Sequence, residues 1–161
     1  MAVAVIGALD LREEPYDGPA AAGLVAEVQA EYVTRYGGPD EGPIEAGEFS
    51  APHGVFIVGY LDGEPVAMGG LRRHDRDGEV EVKRMYVAPH ARGRGLSRIV
   101  LAELERRALT LGARRIVLET GLHQPEAIRL YETSGYRSIA GYGHYKDAPL
   151  SRSFAKVLVL P

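Results

Sequence analysis

The stretch EVKRMYVAPHARGRGLSRIV, Glu81 to Val100, passes from strand-like alternation through a turn of glycine and arginine into a helical pattern. Arg92-Gly93-Arg94-Gly95 therefore falls between a strand and the first turn of a helix, where several backbone N–H groups lack an intrahelical partner. Those donors and the positive end of the helix dipole make an anion site. Gly93 and Gly95 remove side chains that would hold a phosphate away and allow positive φ, while Arg92 and Arg94 add charge-assisted hydrogen bonds at the rim. The expected guest is a pyrophosphate.

Outward from this turn, the elements fall into an order. Upstream, GVFIVGYLDG meets EPVAMGGLRRHD across Asp62-Gly63, a hairpin signal, and RDGEVEVKRMYV follows a second Asp-Gly turn at Asp77-Gly78. Further upstream, AVAVIGALDL reads as a first strand and AAAGLVAEVQAEYVTRYG as a helix, with Leu24, Val28, Tyr32 and Tyr36 four apart and a stop at Gly37 and Gly38. Between them GGPDEGPIEAGEFSAPHG lacks periodicity and predicts a loop with at most a short helical turn, of a length that often frames a site. Downstream, a helix runs from about Gly95 to Leu111 with Leu96, Val100, Leu104, Ala108 and Leu111 on one stripe, stopped by Gly112. ARRIVLETG is a short buried strand, QPEAIRLYETSG a helix with Pro125 in its first turn, and GYRSIAGYG and SRSFAKVLVL a last pair of strands. The order strand, helix, three strands, helix, strand, helix, two strands predicts an α/β fold with a mixed sheet.

Composition narrows the chemistry. A chain of 161 residues with 45% hydrophobic and 25% charged content fits one domain, residues 1–161, with a real core. The absence of cysteine excludes disulfides, thiolate metal sites and a cysteine nucleophile. The start MAVAVIGALDLREEP lacks a basic lead and meets charge at Asp10 and Arg12, so a cytoplasmic protein with no membrane partner is expected. A net charge of −3 gives no global pull toward nucleic acid, leaving a small molecule as the expected partner. His53, His74, His90, His123 and His144 lack the i, i+4 pairing of a helical metal site, so no metal is expected. The P-loop is excluded because Leu96 and Ser97 follow Gly95, and the dinucleotide fingerprint because GRGLSR lacks its third glycine.

The run VAPHARGRGLSRIVLAELERRA resembles the acetyl-CoA signature of the GNAT superfamily of acyl-CoA-dependent N-acyltransferases, Gln/Arg-x-x-Gly-x-Gly/Ala. Arg92, Gly95 and Ser97 match it, with serine where glycine or alanine is usual. PEAIRLYETSGYRSI is similar to the family's later helix and strand, at Ala127, Leu130, Tyr131, Glu132, Gly135 and Tyr136, with Gln124 where many members carry Asn. The two motifs cover Val80 to Ile139, and the element order extends the resemblance over nearly the whole chain.

The resemblance implies a mostly antiparallel central sheet flanked by helices, in which the strand before the turn splays from its neighbour to hold acyl-CoA. It implies that Met85 and Val87 hold the pantetheine arm and thioester, with Gln124 nearby, that Gly93, Arg94, Gly95, Leu96 and Ser97 take the pyrophosphate, and that the N–H of Val87 polarises the acyl oxygen. It also implies acetyl transfer from acetyl-CoA directly to a primary amine of a small molecule or amino acid, in a ternary complex, with Tyr131 protonating the departing thiolate. Members of the family often pair, so a homodimer is a further expectation. The base is expected to be Glu81, which strand alternation places with Glu79 and Lys83, although a cross-strand ion pair on a solvated face explains Glu81 equally well. Glu119 is the second candidate. Glu31, Arg35, Glu45, Glu48, Phe49, His53, His144, Lys146 and Arg152 are expected among the acceptor walls. A non-catalytic acyl-CoA-binding regulator and a nucleic-acid binder using Arg72, Arg73, Arg92, Arg94 and Arg98 are the alternatives.

Overall fold

A computed structural model of the protein describes residues 8–159. Seven strands form one sheet in the order β1-β2-β3-β4-β5-β7-β6. They are β1 (Asp10–Glu13), β2 (Gly54–Leu61), β3 (Glu64–Arg73), β4 (Glu79–Val87), β5 (Arg115–Gly121), β6 (Arg137–Ile139) and β7 (Ser151–Val157). The helices are α1 (Pro19–Tyr36), α2 (Leu96–Thr110) and α3 (Pro125–Thr133). Every strand pairing is antiparallel except β4 with β5, so the sheet is mixed and mostly antiparallel, as expected.

Local chemistry explains most of the boundaries. Asp62 and Gly63 both take positive φ, the requirement of a two-residue turn whose twist matches its flanking strands. α1 ends where Gly37 turns left-handed and returns its N–H to the Val33 carbonyl. The α2 stripe buries Leu96, Val100, Leu101, Leu104 and Ala108 against β2, β3 and β4. On α1, Leu24 and Val28 enter the core, whereas Tyr32 and Tyr36 on the same stripe line a cleft. Each fully buried aliphatic side chain contributes about 1.5–3 kcal/mol of transfer free energy, so these two stripes fasten the helices to the sheet.

The first strand differs from its sequence reading. Residues 2–7 of AVAVIGALDL lie outside the described residues, and β1 begins at Asp10 and continues to Glu13, beyond the apolar run. Among the described residues β1 is an edge strand paired only with β2, from Asp10↔Tyr60 to Glu13↔Ile57. β6 is likewise only a three-residue remnant of GYRSIAGYG. Among the described residues no helix is long and apolar enough to cross a membrane.

Two irregularities of β4 position the site. β4 pairs with β5 only from Glu79↔Arg115 to Val82↔Leu118, after which the two strands part. At the same level the β3–β4 register shifts between Met68 and Gly70, and Arg84 takes φ +59°, the geometry of a bulge. The bulge breaks the alternation: Lys83 and Arg84 both reach Asp40, while Met85 turns to the α2 side, near Val100 and Leu104 at Gly69.

Candidate active site

Two clefts open where β4 leaves β5. The first, of about 260 Å³, lies between Met85–Val87, the start of α2 and the α3 face that carries Ala127, Leu130 and Tyr131. Gly93 and Gly95 both adopt positive φ, at 81° and 75°. Among the described residues the amides of Gly93, Arg94, Gly95, Leu96 and Ser97 have no acceptor, and α2 has neither a side-chain cap nor an acidic residue in its first turn. Nothing lies within 4 Å of a Cβ built on Gly93 or Gly95, so the space before these amides is open. A helix start with unpaired donors, a positive dipole end and no carboxylate of its own suits a pyrophosphate. Gly95 is the N-cap, so Ser97 sits inside the first turn and does not cap it.

The edge of β4 is polarised toward this cleft. Ala88 N–H donates to the Val66 carbonyl across the ladder at 2.8 Å, so alternation aims the Val87 amide away from β3 and into the gap. The Val87 carbonyl on that side accepts Arg92 Nε at 2.9 Å, which leaves the N–H as the free group. Arg92 itself is turned inward, with Nη2 2.9 Å from Glu31 Oε1 on α1 and the guanidinium 5.6 Å from the Tyr86 ring centroid. Arg94 is exposed and faces solvent at the turn.

Tyr131 lies at the inner end of the cleft, only 5% exposed, edge-on to Tyr136 and tilted against Phe154. Burial, reinforced by the neighbouring Tyr32, drives its pKa far above the usual phenol value, so the group holds its proton. Its side chain lines the cleft. Gln124 stands at the start of α3, accepts the Tyr36 hydroxyl at 3.1 Å, and borders both clefts.

The second cleft, of about 480 Å³, opens on the other side of Gln124 between the end of α1, the Gly37–Glu41 turn, β4, β5 and the 145–151 loop. Its ionisable lining is Asp40, Glu41, Lys83 and Glu119, with Tyr32, Tyr36 and Tyr145 as aromatic walls. Gly121 permits the close approach of Tyr36, because a Cβ there would lie 2.1 Å from the Tyr36 hydroxyl. Asp40 Oδ2 accepts Arg84 Nη1 at 2.8 Å and Oδ1 accepts the Gly42 amide at 2.8 Å. Burial opposes ionisation of Asp40, but Lys83, the Gly42 amide and Arg84 outweigh it and hold the carboxyl below its usual range. Glu119 behaves oppositely: burial dominates the pull of Lys83, and its pKa is pushed up to about 7. Glu119 Oε2 is buried without a hydrogen-bond partner.

The structure separates residues that the sequence had grouped. Glu81 is 2% exposed and lines neither cleft, for its Oε1 accepts Arg72 Nε at 2.9 Å and its Oε2 the Tyr142 hydroxyl at 2.7 Å. This is a cross-strand ion pair set by the register Arg72↔Glu81, but a buried one rather than the solvated pair of the alternative reading. The expected acceptor walls also move. Arg35 pins α1 to α3 through Glu126 at 2.7 Å, Glu45 and Glu48 cap a short helical turn, and Phe49 is in the core. Glu31 borders the first cleft. Asp40 and Lys83, which no motif singled out, both line the second cleft, and the bulge adds Arg84 to Asp40 from the next position of β4.

The comparisons with known proteins agree with this geometry. Residues 21–136 match the model of the Acetyltransferase (GNAT) family. The chain is 36% identical over 103 residues to an IAA acetyltransferase of Azospirillum brasilense, covering 64% of this chain and 67% of that one. It is 30% identical over 119 residues to human N-acetylaspartate synthetase, covering 74% of this chain but only 39% of the synthetase. Among solved structures, a protein of Klebsiella pneumoniae assigned as an acyl-CoA N-acyltransferase superposes with a TM-score of 0.82 at 26% identity, over 94% of this chain and 99% of that one. A GNAT acetyltransferase of Elizabethkingia anophelis with acetyl-CoA bound shares the fold at a TM-score of 0.67 and 15% identity, over 93% and 98% of the two chains. A splayed β4, a capless α2 behind two left-handed glycines and a family match spanning both motifs lead to one statement: the chain belongs to the GNAT acetyltransferase family.

Proposed function

We propose that the protein is an acetyl-CoA-dependent N-acetyltransferase that moves the acetyl group directly to a primary amine of a small molecule or amino acid, within a ternary complex. The observation that carries this reading is the meeting of two unlike clefts at Gln124, one lined by unpaired amides and the other by an unpartnered carboxylate. Bound acetyl-CoA supplies an activated acyl carbonyl and a thiolate leaving group. The amides of Gly93 through Ser97 hold the pyrophosphate with Arg94 at the rim, and the backbone of Met85 and Val87 lines the arm that follows. Val87 N–H donates to the acyl oxygen as charge develops there, a preorganised donor of the kind worth about 10²–10³ in rate.

Glu119 takes the base role in place of Glu81. A primary ammonium with a pKa of about 10.4 must lose a proton before it attacks, and a carboxylate whose pKa lies near 7 is matched to that task. As the C–N bond forms and the C–S bond breaks, one amine proton leaves through Glu119 to solvent, and Tyr131 gives its hydroxyl proton to the thiolate. Reprotonation of Tyr131 by the second amine proton balances the cycle. The names of the IAA acetyltransferase and N-acetylaspartate synthetase relatives support acetyl transfer, the latter to an amino acid.

The test is calorimetric titration with acetyl-CoA, followed by thiol release against pooled amines and amino acids. Binding with amine-dependent release is expected, and Tyr131→Phe lowers kcat by about 10²-fold or more while acetyl-CoA binding persists. Binding without release would favour a non-catalytic acyl-CoA-binding regulator, and absence of binding would sink the reading of Gly93 to Ser97.

A further inference from the structure

Lys83 has an unusual electrostatic position. Its side chain is 10% exposed, yet its ammonium has no acceptor within hydrogen-bond reach among the described residues. Its one ion-pair contact among the described residues is Asp40 Oδ2 at 3.7 Å, and both oxygens of Asp40 are already satisfied, by Arg84 and by the Gly42 amide. A largely desolvated ammonium with three donors and no acceptor is costly unless an anion completes it. The group lines the acceptor-side cleft, as does Glu119 with its unpartnered Oε2. No ion pair joins the two among the described residues, so each keeps a free bonding direction into the same space.

We propose that the acceptor is a small α-amino acid, its carboxylate held by Lys83 Nζ and its amine presented to Glu119 in the second cleft. This rests on the transferase reading above and adds to it the acceptor's chemical class. The arrangement needs opposite charges on adjacent carbons of the ligand to meet opposite charges on adjacent strands of the protein. β4 and β5 provide them where their ladder ends: Lys83 lies one residue past the last β4 pairing, and Glu119 one residue past Leu118. Tyr32, Tyr36 and Tyr145 leave room for an amphipathic side chain beyond the ionic pair. Arg84 and the Gly42 amide take the hydrogen-bonding directions of Asp40, which leaves Lys83 only a longer ionic contact with that carboxylate. A plain amine would leave the Lys83 ammonium without a hydrogen-bonding anion, and rejection by an unpaired buried polar group is steep.

The experiment compares matched acceptors with the full chain and saturating acetyl-CoA: serine against ethanolamine, leucine against isoamylamine, ornithine against putrescine. Thiol release is expected with at least one amino acid at a kcat/KM roughly tenfold or more above its decarboxylated partner. In Lys83→Met the preference collapses toward unity through a raised KM for the amino acid, and Lys83→Arg restores part of it. Melting curves and acetyl-CoA titration of both variants establish that they fold and bind the cosubstrate. Equal or faster turnover of the plain amines by the unaltered protein would overturn the carboxylate assignment while leaving the transferase standing. An amino acid preference that survives Lys83→Met would overturn the role of Lys83. Acetyl-CoA binding with no turnover of either class would overturn the transferase reading itself, and the acceptor assignment with it.

Discussion

The two clefts that meet at Gln124 are built from different materials. The first is made of backbone: the donors are amides of consecutive residues, Gly93 to Ser97, and the Val87 amide at a strand edge. The second is made of side chains contributed by α1, the turn after it, β4, β5 and the 145–151 loop, which lie far apart in sequence. Backbone donors tolerate almost any side chain that leaves φ and the approach path free, so they hold a constant group such as a pyrophosphate. A side-chain cleft changes character with each substitution, which suits the partner that varies. In the proposed reading acetyl-CoA takes the backbone half and the acceptor the side-chain half.

The largest effect that sharpens the comparison is expected at Glu119, in the side-chain cleft. Glu119→Gln removes the proposed base, and kcat should fall by about 10²-fold with acetyl-CoA binding unchanged. The unaltered protein should show an acidic limb in its rate near pH 7, where Glu119 loses its proton, and the variant should lack it. The groups acting on that proton are Lys83, which favours the carboxylate, and Glu81 and Asp40, which oppose it, with Arg72 a weaker ally of the charged form. Stability should move the other way. Because burial raises the folded pKa above the unfolded one, the folded state binds the extra proton, and stability declines as pH rises from the usual carboxyl range through about 7. Glu119→Gln escapes that decline and should be more stable at pH 8, by about 1–2 kcal/mol after allowance for solvent screening. A variant both less active and less stable at pH 8 would break the base assignment.

Next in size is a change in the backbone cleft. Gly95 holds φ 75°, a left-handed conformation that costs a residue with a Cβ about 1–2 kcal/mol. A Cβ at Gly95 meets nothing within 4 Å, so Gly95→Val introduces conformational strain and bulk in the anion path without a clash in the core. Acetyl-CoA affinity should weaken about tenfold, with the acceptor preference unaltered. Equal loss of acceptor selectivity would show that the clefts are not separable.

This division explains what the sequence revealed. Gly93, Gly95 and the α2 stripe are local signals, because a helix start and its glycines are contiguous, and the structure places them as read. The Asp62-Gly63 hairpin was legible for the same reason. The second cleft was not. Lys83 and Arg84 share a face only because of the bulge, which one strand's alternation does not encode, since it arises from the register against β3. Glu81 and Glu119 looked alike as strand carboxylates, and their difference lies in their partners. Glu81 faces Arg72 and Tyr142, whereas Glu119 Oε2 faces none. Such differences are decided by elements 9 and 61 residues away in sequence, beyond the reach of any local pattern.

The smallest expected effect tests the border between the two kinds of recognition. Arg92 belongs to the signature by sequence, yet its guanidinium is engaged by Glu31 and by the Val87 carbonyl. Two roles are open to it: contributing charge to the pyrophosphate, or capping the Val87 carbonyl so that only the N–H of that residue faces the acyl group. Glu31→Gln separates them by removing one anion from the side of α1 while leaving Arg92 intact. If Arg92 serves the pyrophosphate, release from Glu31 should tighten acetyl-CoA binding about two- to threefold at low salt, an increment fitting a partly exposed ion pair, and the gain should fade as ionic strength rises. If Arg92 serves the strand, losing Glu31 should loosen its hold on Val87, leaving affinity unchanged or lower and reducing kcat. Titration at two salt concentrations with kcat alongside distinguishes these outcomes, and the second would place Arg92 with the machinery that polarises the acyl oxygen.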